Sequence, residues 1–276
     1  MHTADMPRPG APDPPAAAVV RAYAPPGRGR HAVVAWARRH AGRTGARVEI
    51  LVDPAPPGPA GGPAELLGRV LDRALAALAG RPALVDRLAR AAAGARMLVV
   101  PQRLAGVDEL VETAYEPVAV VPDEPSHTRG PVVLALAPRT SDEAVDAAFD
   151  AAAQRGAPLL AVRVRDPERA LPATRDDQAE AVAEERRDWW DRLSAWHVTH
   201  PDVPVEVQVA EGDPALELVD LSLRARLLVL GRSGRGRVLA SVAASPVAPV
   251  TLRARCPVLV VPPPGPPRRS WWPRSS

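Results

Sequence analysis

The strongest constraint on the fold of this 276-residue chain is an internal repeat. Five short segments of the first half recur in the same order in the second half, as in VVRAYAP at 19–25 and VVLALAP at 132–138. The other four pairs begin at residues 45 and 156, 80 and 212, 95 and 225, and 117 and 257. Chance rarely produces five ordered matches, so we interpret the chain as a tandem duplication whose halves share one fold.

In the second half, short apolar runs alternate with helical patterns. The runs cover residues 132–136, 158–164, 203–209, 225–230 and 257–261. Apolar strands separated by helices are typical of a parallel, doubly wound α/β sheet. The sequence therefore predicts an open parallel sheet of the five-stranded type in this half. The first half is shorter, and its sequence shows no counterpart of the third run, so its sheet is predicted to be truncated.

These patterns divide the chain into two predicted domains. Residues 17–125 form the truncated first domain and residues 131–264 the second. The flanking segments 1–16 and 265–276 are rich in Pro and polar residues and are predicted to be disordered tails.

A Gly-rich loop follows the fourth predicted strand of the second half. It reads GRSGRG at 231–236 and precedes an apolar helical run, whereas the first half has only PQR at 101–103. Glycines let the main chain approach a ligand closely, and backbone N–H groups at a helix start attract anions. Arg232 and Arg235 add positive charge around the loop. By itself the pattern fits either a phosphate site, in the second half only, or a plain tight turn between a strand and a helix.

The same loop resembles a motif of the universal stress protein family. Gly231, two residues, Gly234, nine residues and then Ala244-Ser245 match the spaced glycines of that motif, and CPVLVV at 256–261 resembles its closing strand. The resemblance implies an adenine nucleotide α-hydrolase-like strand order of 3-2-1-4-5 and bound ATP or AMP. It also implies that the last strands of the two halves pair antiparallel, giving a monomeric pseudo-dimer or, with a second copy, a homodimer.

Site residues follow from the resemblance position by position. Gly231, Gly234 and Ser245 would hold phosphate and ribose oxygens, and the backbone of Val164 would face the adenine ring. Ala137 takes the place of an acidic residue that the family has near the metal and phosphates, so bound Mg²⁺ and ATP hydrolysis are not expected. The chain is accordingly interpreted as an adenine-nucleotide sensor of the stress response that is not an enzyme.

Three departures from the family motif keep a second hypothesis open. Ala137 lacks the carboxylate, Ala244 replaces a glycine, and Pro246 has no N–H to donate. They favour a nucleotide-free scaffold that acts through an unidentified protein partner.

Other classes of protein fit the composition poorly. The net charge is +3, and basic and acidic residues are interspersed, which disfavours a nucleic-acid binder. No apolar run reaches the length of a membrane span, and Cys256 is the single cysteine, so we expect a cytoplasmic protein without a disulfide framework. His197 and His200 are interpreted as helix-terminal histidines and not as metal ligands.

Overall fold

A computed structural model describes residues 18–27, 29–52, 84–125, 129–165, 175–232 and 246–264. Both predicted tails lie outside these ranges. The elements of the first half are β1 (Val19–Tyr23), α1 (Arg30–Thr44), β2 (Arg47–Leu51), α2 (84–92), β3 (Met97–Pro101), α3 (Val107–Thr113) and β4 (Val118–Val121). Those of the second half are β5 (Val132–Leu136), α4 (Asp142–Ala153), β6 (Leu159–Arg165), α5 (Arg175–Thr199), β7 (Val205–Glu211), α6 (Pro214–Ser222), β8 (Leu227–Gly231), α7 (Val247–Arg253) and β9 (Val258–Val261).

The strands join in one sheet with the order β2-β1-β3-β4-β9-β8-β5-β6-β7. Within each half the neighbouring strands are parallel. From β7 to β9, the second half has the predicted order 3-2-1-4-5, so this prediction is confirmed. Across the described ranges the first half contributes four strands, in the order 2-1-4-5 of the same scheme, as expected of a truncated sheet.

The two halves are joined by the antiparallel pair β4 and β9, as predicted. Ala119 lies opposite Leu259, with Val118 opposite Val260 on one side. Ala119 and Leu259 are the third residues of the repeated segments that begin at 117 and 257. A residue that pairs with its own repeat equivalent lies on a pseudo-two-fold axis. This pair therefore marks the centre of the sheet, and neither last strand is left as an edge.

Helices cover both faces of the sheet, which is why its central strands are apolar without alternation, whereas the edge strands β2 and β7 carry polar residues. α1, α4 and α5 pack on one face, and α2, α3, α6 and α7 on the other. Helix starts follow local chemistry: Asp213 Oδ1 accepts hydrogen bonds from Ala215 N and Leu216 N at the start of α6, and Pro214 takes the first helical position. Of the helices in the described part of the chain, none combines the length and apolar character needed to cross a membrane.

Candidate functional site

The carboxyl ends of β5 and β8 lie side by side at the switch point, where the strand order reverses. β5 and β8 are neighbours in the sheet, but the chain continues from β5 to α4 on one face and from β8 towards α7 on the other. Open α/β sheets bind ligands at such switch points. We call this place the crevice.

The turn that follows β5 is tightly held. Ala137 N donates to Thr140 Oγ1 over 2.7 Å, and Thr140 N donates back to Ala137 O over 2.9 Å. Ser141 Oγ then caps α4 by accepting from Ala144 N. Ala137 is exposed at the crevice and offers only a methyl group where the family resemblance expects a carboxylate.

Gly231 ends β8 directly against this turn. A Cβ built on Gly231 would lie 3.2 Å from Ala144 Cβ and 3.8 Å from Ser141 N. The missing side chain therefore lets the end of β8 approach the first turn of α4 closely. The positive end of the α4 dipole points to the same place.

Arg232 requires a correction. It was predicted to bring positive charge to the phosphates, but its side chain is only 5% exposed and crosses to the first half. Its Nη1 donates to Val111 O over 2.9 Å and its Nη2 to Ala114 O over 2.7 Å, at the end of α3. Its main-chain N–H also donates to Val261 O over 2.8 Å, which extends the β8–β9 ladder. Arg232 is thus a helix cap across the pseudo-two-fold axis, because the carbonyls at a helix end lack partners in the helix.

Gln102 makes the reciprocal contact from the first half. It follows β3 as Arg232 follows β8, and its Nε2 donates to Thr251 O over 2.9 Å and to Ala254 O over 2.8 Å, at the end of α7. α3 and α7 pack against each other between these two side chains. Each half therefore caps the central helix of the other.

Arg192 is a candidate that the sequence analysis missed. Its Nη2 donates to Thr140 O over 2.6 Å and lies 3.8 Å from Asp142 Oδ1, at the start of α4. The guanidinium carbon is 5.1 Å from the centre of the Trp189 ring, which orients it. The available signal was the three-residue spacing of Trp189 and Arg192, which places both on one side of α5.

The end of β6 adds two more cations. Arg163 and Arg165 point to the face covered by α5, where Glu185 accepts from Arg163 over 2.9 Å and lies 3.4 Å from Arg165. Val164 between them is buried, and its carbonyl accepts from Arg163 Nη1 over 2.6 Å. A nucleotide base that used this carbonyl would have to displace Arg163. The carboxyl edge of the second half is thus rich in arginine.

The other predicted site residues stay predictions. Gly234, Arg235 and Ser245 lie outside the described residues. His197 and His200 turn to different partners, since His197 lies against the Trp190 ring and His200 Nε2 is 3.4 Å from Asp150 Oδ1. Within the ranges that the structure covers, no group of three or more His, Cys, Asp or Glu could hold a metal ion.

The corresponding crevice of the first half is filled by its own side chains. A Cβ on Gly29, at the start of α1, would collide with Asp123 Oδ1. Asp123 Oδ2 lies 2.9 Å from Arg103 Nε, which follows β3. A carboxylate thus occupies the position beside a helix start that a phosphate would need.

The fold is that of an open-sheet α/β protein with a candidate site at the switch point of its second half. Residues 128–262 match the model of the universal stress protein family. A universal stress protein of Mycobacterium tuberculosis (strain ATCC 25618 / H37Rv) is 35% identical over 143 residues, which cover 46% of this chain and 43% of that protein. One from Mycolicibacterium smegmatis is 33% identical over 158 residues, covering 56% and 54%. The second half of the chain therefore belongs to the universal stress protein family.

The similarity in fold extends over both halves. The match to the crystal structure of a universal stress protein from Archaeoglobus fulgidus covers 88% of this chain and 96% of that protein, with a TM-score of 0.56 and 13% sequence identity. At this identity the likeness concerns the fold alone. The chain spans about half the length of the curated relatives that it matches. Universal stress proteins are generally not classed as enzymes, in agreement with the expectation from the sequence.

Proposed function

We propose that the crevice of the second half binds an adenine nucleotide, ATP or AMP, and that the protein acts as a cytoplasmic nucleotide-responsive stress protein. The observation that carries the proposal is the close approach of Gly231 to the first turn of α4 at the switch point. Because Gly231 has no side chain, the main chain at the end of β8 lies against the start of α4, where the positive end of the helix dipole would attract an anionic group.

Charge at the crevice supports the same ligand. Arg192 is held over Trp189 at the start of α4, and Arg163 and Arg165 lie at the end of β6 with Glu185 as their shared carboxylate. Guanidinium groups form strong paired hydrogen bonds with phosphate. Arg192 would contact the phosphates by releasing Thr140 O, and the base would lie towards Val164.

The two halves have different roles in this proposal. Residues 131–264 bind the nucleotide, while residues 17–125 form a degenerate partner whose crevice is closed by Asp123 and Arg103. The pseudo-two-fold pairing of β4 and β9 would then replace a dimer contact within one chain. One nucleotide per chain is expected.

The alternative is a nucleotide-free scaffold that acts through protein partners. Two observations favour it: the Arg232 amide is used in the sheet, and Ala137 brings no carboxylate to the crevice.

Equilibrium dialysis with labelled ATP and AMP separates the two functions. The wild-type chain should bind one nucleotide saturably, and Gly234→Trp should abolish this by filling the loop. Gly42→Trp is the matched control, because a Cβ on this helical glycine meets open space. The absence of saturable binding for both nucleotides would leave the scaffold function.

A further inference from the structure

A second group of cations lies where the two halves meet, on the face covered by α1 and α4. Arg155 Nη2, after α4, is 3.5 Å from His40 Nδ1 in α1. Arg96 Nη2, before β3, is 3.9 Å from Asp150 Oδ2 in α4. Both contacts connect the first half with the second.

Arginines of both halves converge here. Arg43 and Arg96 come from the first half, and Arg155 and Arg226 from the second; each lies near enough to His40 or Arg155 to act on its charge. Arg96 and Arg226 are repeat equivalents, each the second residue of the segments beginning at 95 and 225. We call the four arginines together with His40 the junction cluster.

The carboxyl ends of helices explain why part of this positive charge lies here. Arg155 Nη1 donates to Ala151 O over 3.1 Å, Arg43 Nη1 to Arg39 O over 3.3 Å, and Arg226 Nη1 to Arg155 O over 2.8 Å. The carbonyl ends of α1 and α4 carry partial negative charge and attract cations. These contacts use one N–H of each guanidinium, and a guanidinium has five.

The junction cluster has more donors than acceptors. Arg155 can only donate, so His40 Nδ1 must accept and the imidazole proton lies on Nε2. Among the described residues, buried His40 Nε2 and Arg226 Nε find no hydrogen-bond partner. Within the described ranges, the one carboxylate in contact with the cluster is that of Asp150, which is half exposed and is shared with His200. A ligand that brings several acceptors would complete the arrangement.

The titration of the buried groups agrees with this excess of positive charge. Burial, followed by the charges of Arg155, Arg96 and Arg43, lowers the pKa of His40 to about 4. Burial and the charges of Arg43 and Arg226 lower the pKa of Arg155 to about 10. An anion in the cluster would oppose both shifts.

We propose that the junction cluster is a second ligand site, which binds a phosphate-type oxyanion and thereby links the two halves of the chain. Tetrahedral oxyanions with several charges suit the junction cluster because each guanidinium can donate two parallel hydrogen bonds to their oxygens. The arginines approach from both halves, so a bound anion would hold the carboxyl ends of α1 and α4 together. This site is separate from the crevice and does not depend on nucleotide binding.

His40 reports directly on this site. Potassium phosphate is titrated into the protein at constant ionic strength while the histidine imidazole resonances are followed by NMR. The resonances of His40 are identified as those that are missing from the spectrum of His40→Gln. Phosphate should shift the His40 resonances saturably and raise the pKa of His40 by about one unit. A rise of that size means that phosphate binds the protonated imidazole about tenfold more tightly than the neutral one. Arg96→Gln, an exposed position, should weaken the response on the order of tenfold.

Controls separate this site from the crevice and from general salt effects. Gly234→Trp should leave the His40 response intact, and Arg255→Gln, an exposed arginine elsewhere, should match the wild type. Arg226→Lys tests the second half if larger changes prevent folding. His40 resonances that ignore phosphate, that respond equally to chloride, or that respond unchanged in Arg96→Gln would each overturn the proposal.

Discussion

Replacing Arg232 with methionine tests the helix-capping role that the structure gives to this residue. Methionine has a similar length but removes both hydrogen bonds, to Val111 O at 2.9 Å and to Ala114 O at 2.7 Å. Hydrogen bonds from a charged donor contribute about 1.5–3 kcal/mol each, and two carbonyls would lose their partner. Part of this is offset because a buried guanidinium is costly to desolvate. We expect the free energy of unfolding to fall by about 2–4 kcal/mol.

Thermal unfolding gives the readout. In domains of 150–250 residues, 1 kcal/mol corresponds to about 2–4 °C, so Arg232→Met should lower Tm by about 4–16 °C. Nucleotide affinity should change by less than about twofold, because the side chain points away from the crevice. Gln102→Met is the matched variant: it removes two neutral hydrogen bonds, at 2.9 and 2.8 Å, and should cost about 1–2 kcal/mol. An unchanged Tm combined with a tenfold loss of nucleotide affinity would refute this reasoning and restore Arg232 as a phosphate ligand.

Three further predictions concern burial and close packing. The pKa of His40 is about 4 in the folded protein and 6.5 in the free residue, so the unfolded chain takes up the proton first as the pH falls. The free energy of unfolding should therefore fall by about 3 kcal/mol between pH 6.5 and pH 4. Urea unfolding of the wild type and of His40→Gln at both pH values measures this loss, and the same pH dependence in both proteins would contradict the prediction. Gly231→Ala should destabilise the protein by about 1–2 kcal/mol, because its Cβ would lie 3.2 Å from Ala144 Cβ. Gly42→Ala in α1 should stabilise it by up to about 1 kcal/mol, because a Cβ there meets open space and alanine favours the helix. A higher Tm for Gly231→Ala than for Gly42→Ala would contradict the packing described. Burial raises the pKa of Cys256 to about 12, so a disulfide reagent should label it at pH 8 only after unfolding, and rapid labelling of the native protein would be inconsistent with its burial.

The repeat made most of the sheet predictable. Because the segments that begin at 117 and 257 are equivalent and apolar, the family scheme predicts the antiparallel pairing of β4 with β9 from the sequence alone. The start of α6 was also predictable, since Asp213 and Pro214 act on the first turn of their own helix. Such features depend on neighbouring residues or on a regular period.

Side-chain partners distant in sequence were not predictable. Arg232 reaches carbonyls 118 and 121 residues away in the chain, and Arg192 reaches Thr140 across 52 residues. Periodicity gives the face of a helix on which a side chain lies but not the group that it contacts there. The contact between His40 and Arg155 was unpredictable for the same reason, because it depends on how the two halves pack together and not on local sequence.

Photoaffinity labelling with 8-azido-ATP, followed by peptide mapping, tests the claim of a single nucleotide site most directly. The account predicts label on peptides of the second half, near the ends of β5, β6 or β8, with loss of the label when unlabelled ATP is added in excess. Label distributed over both halves, or label that excess ATP fails to displace, would contradict it.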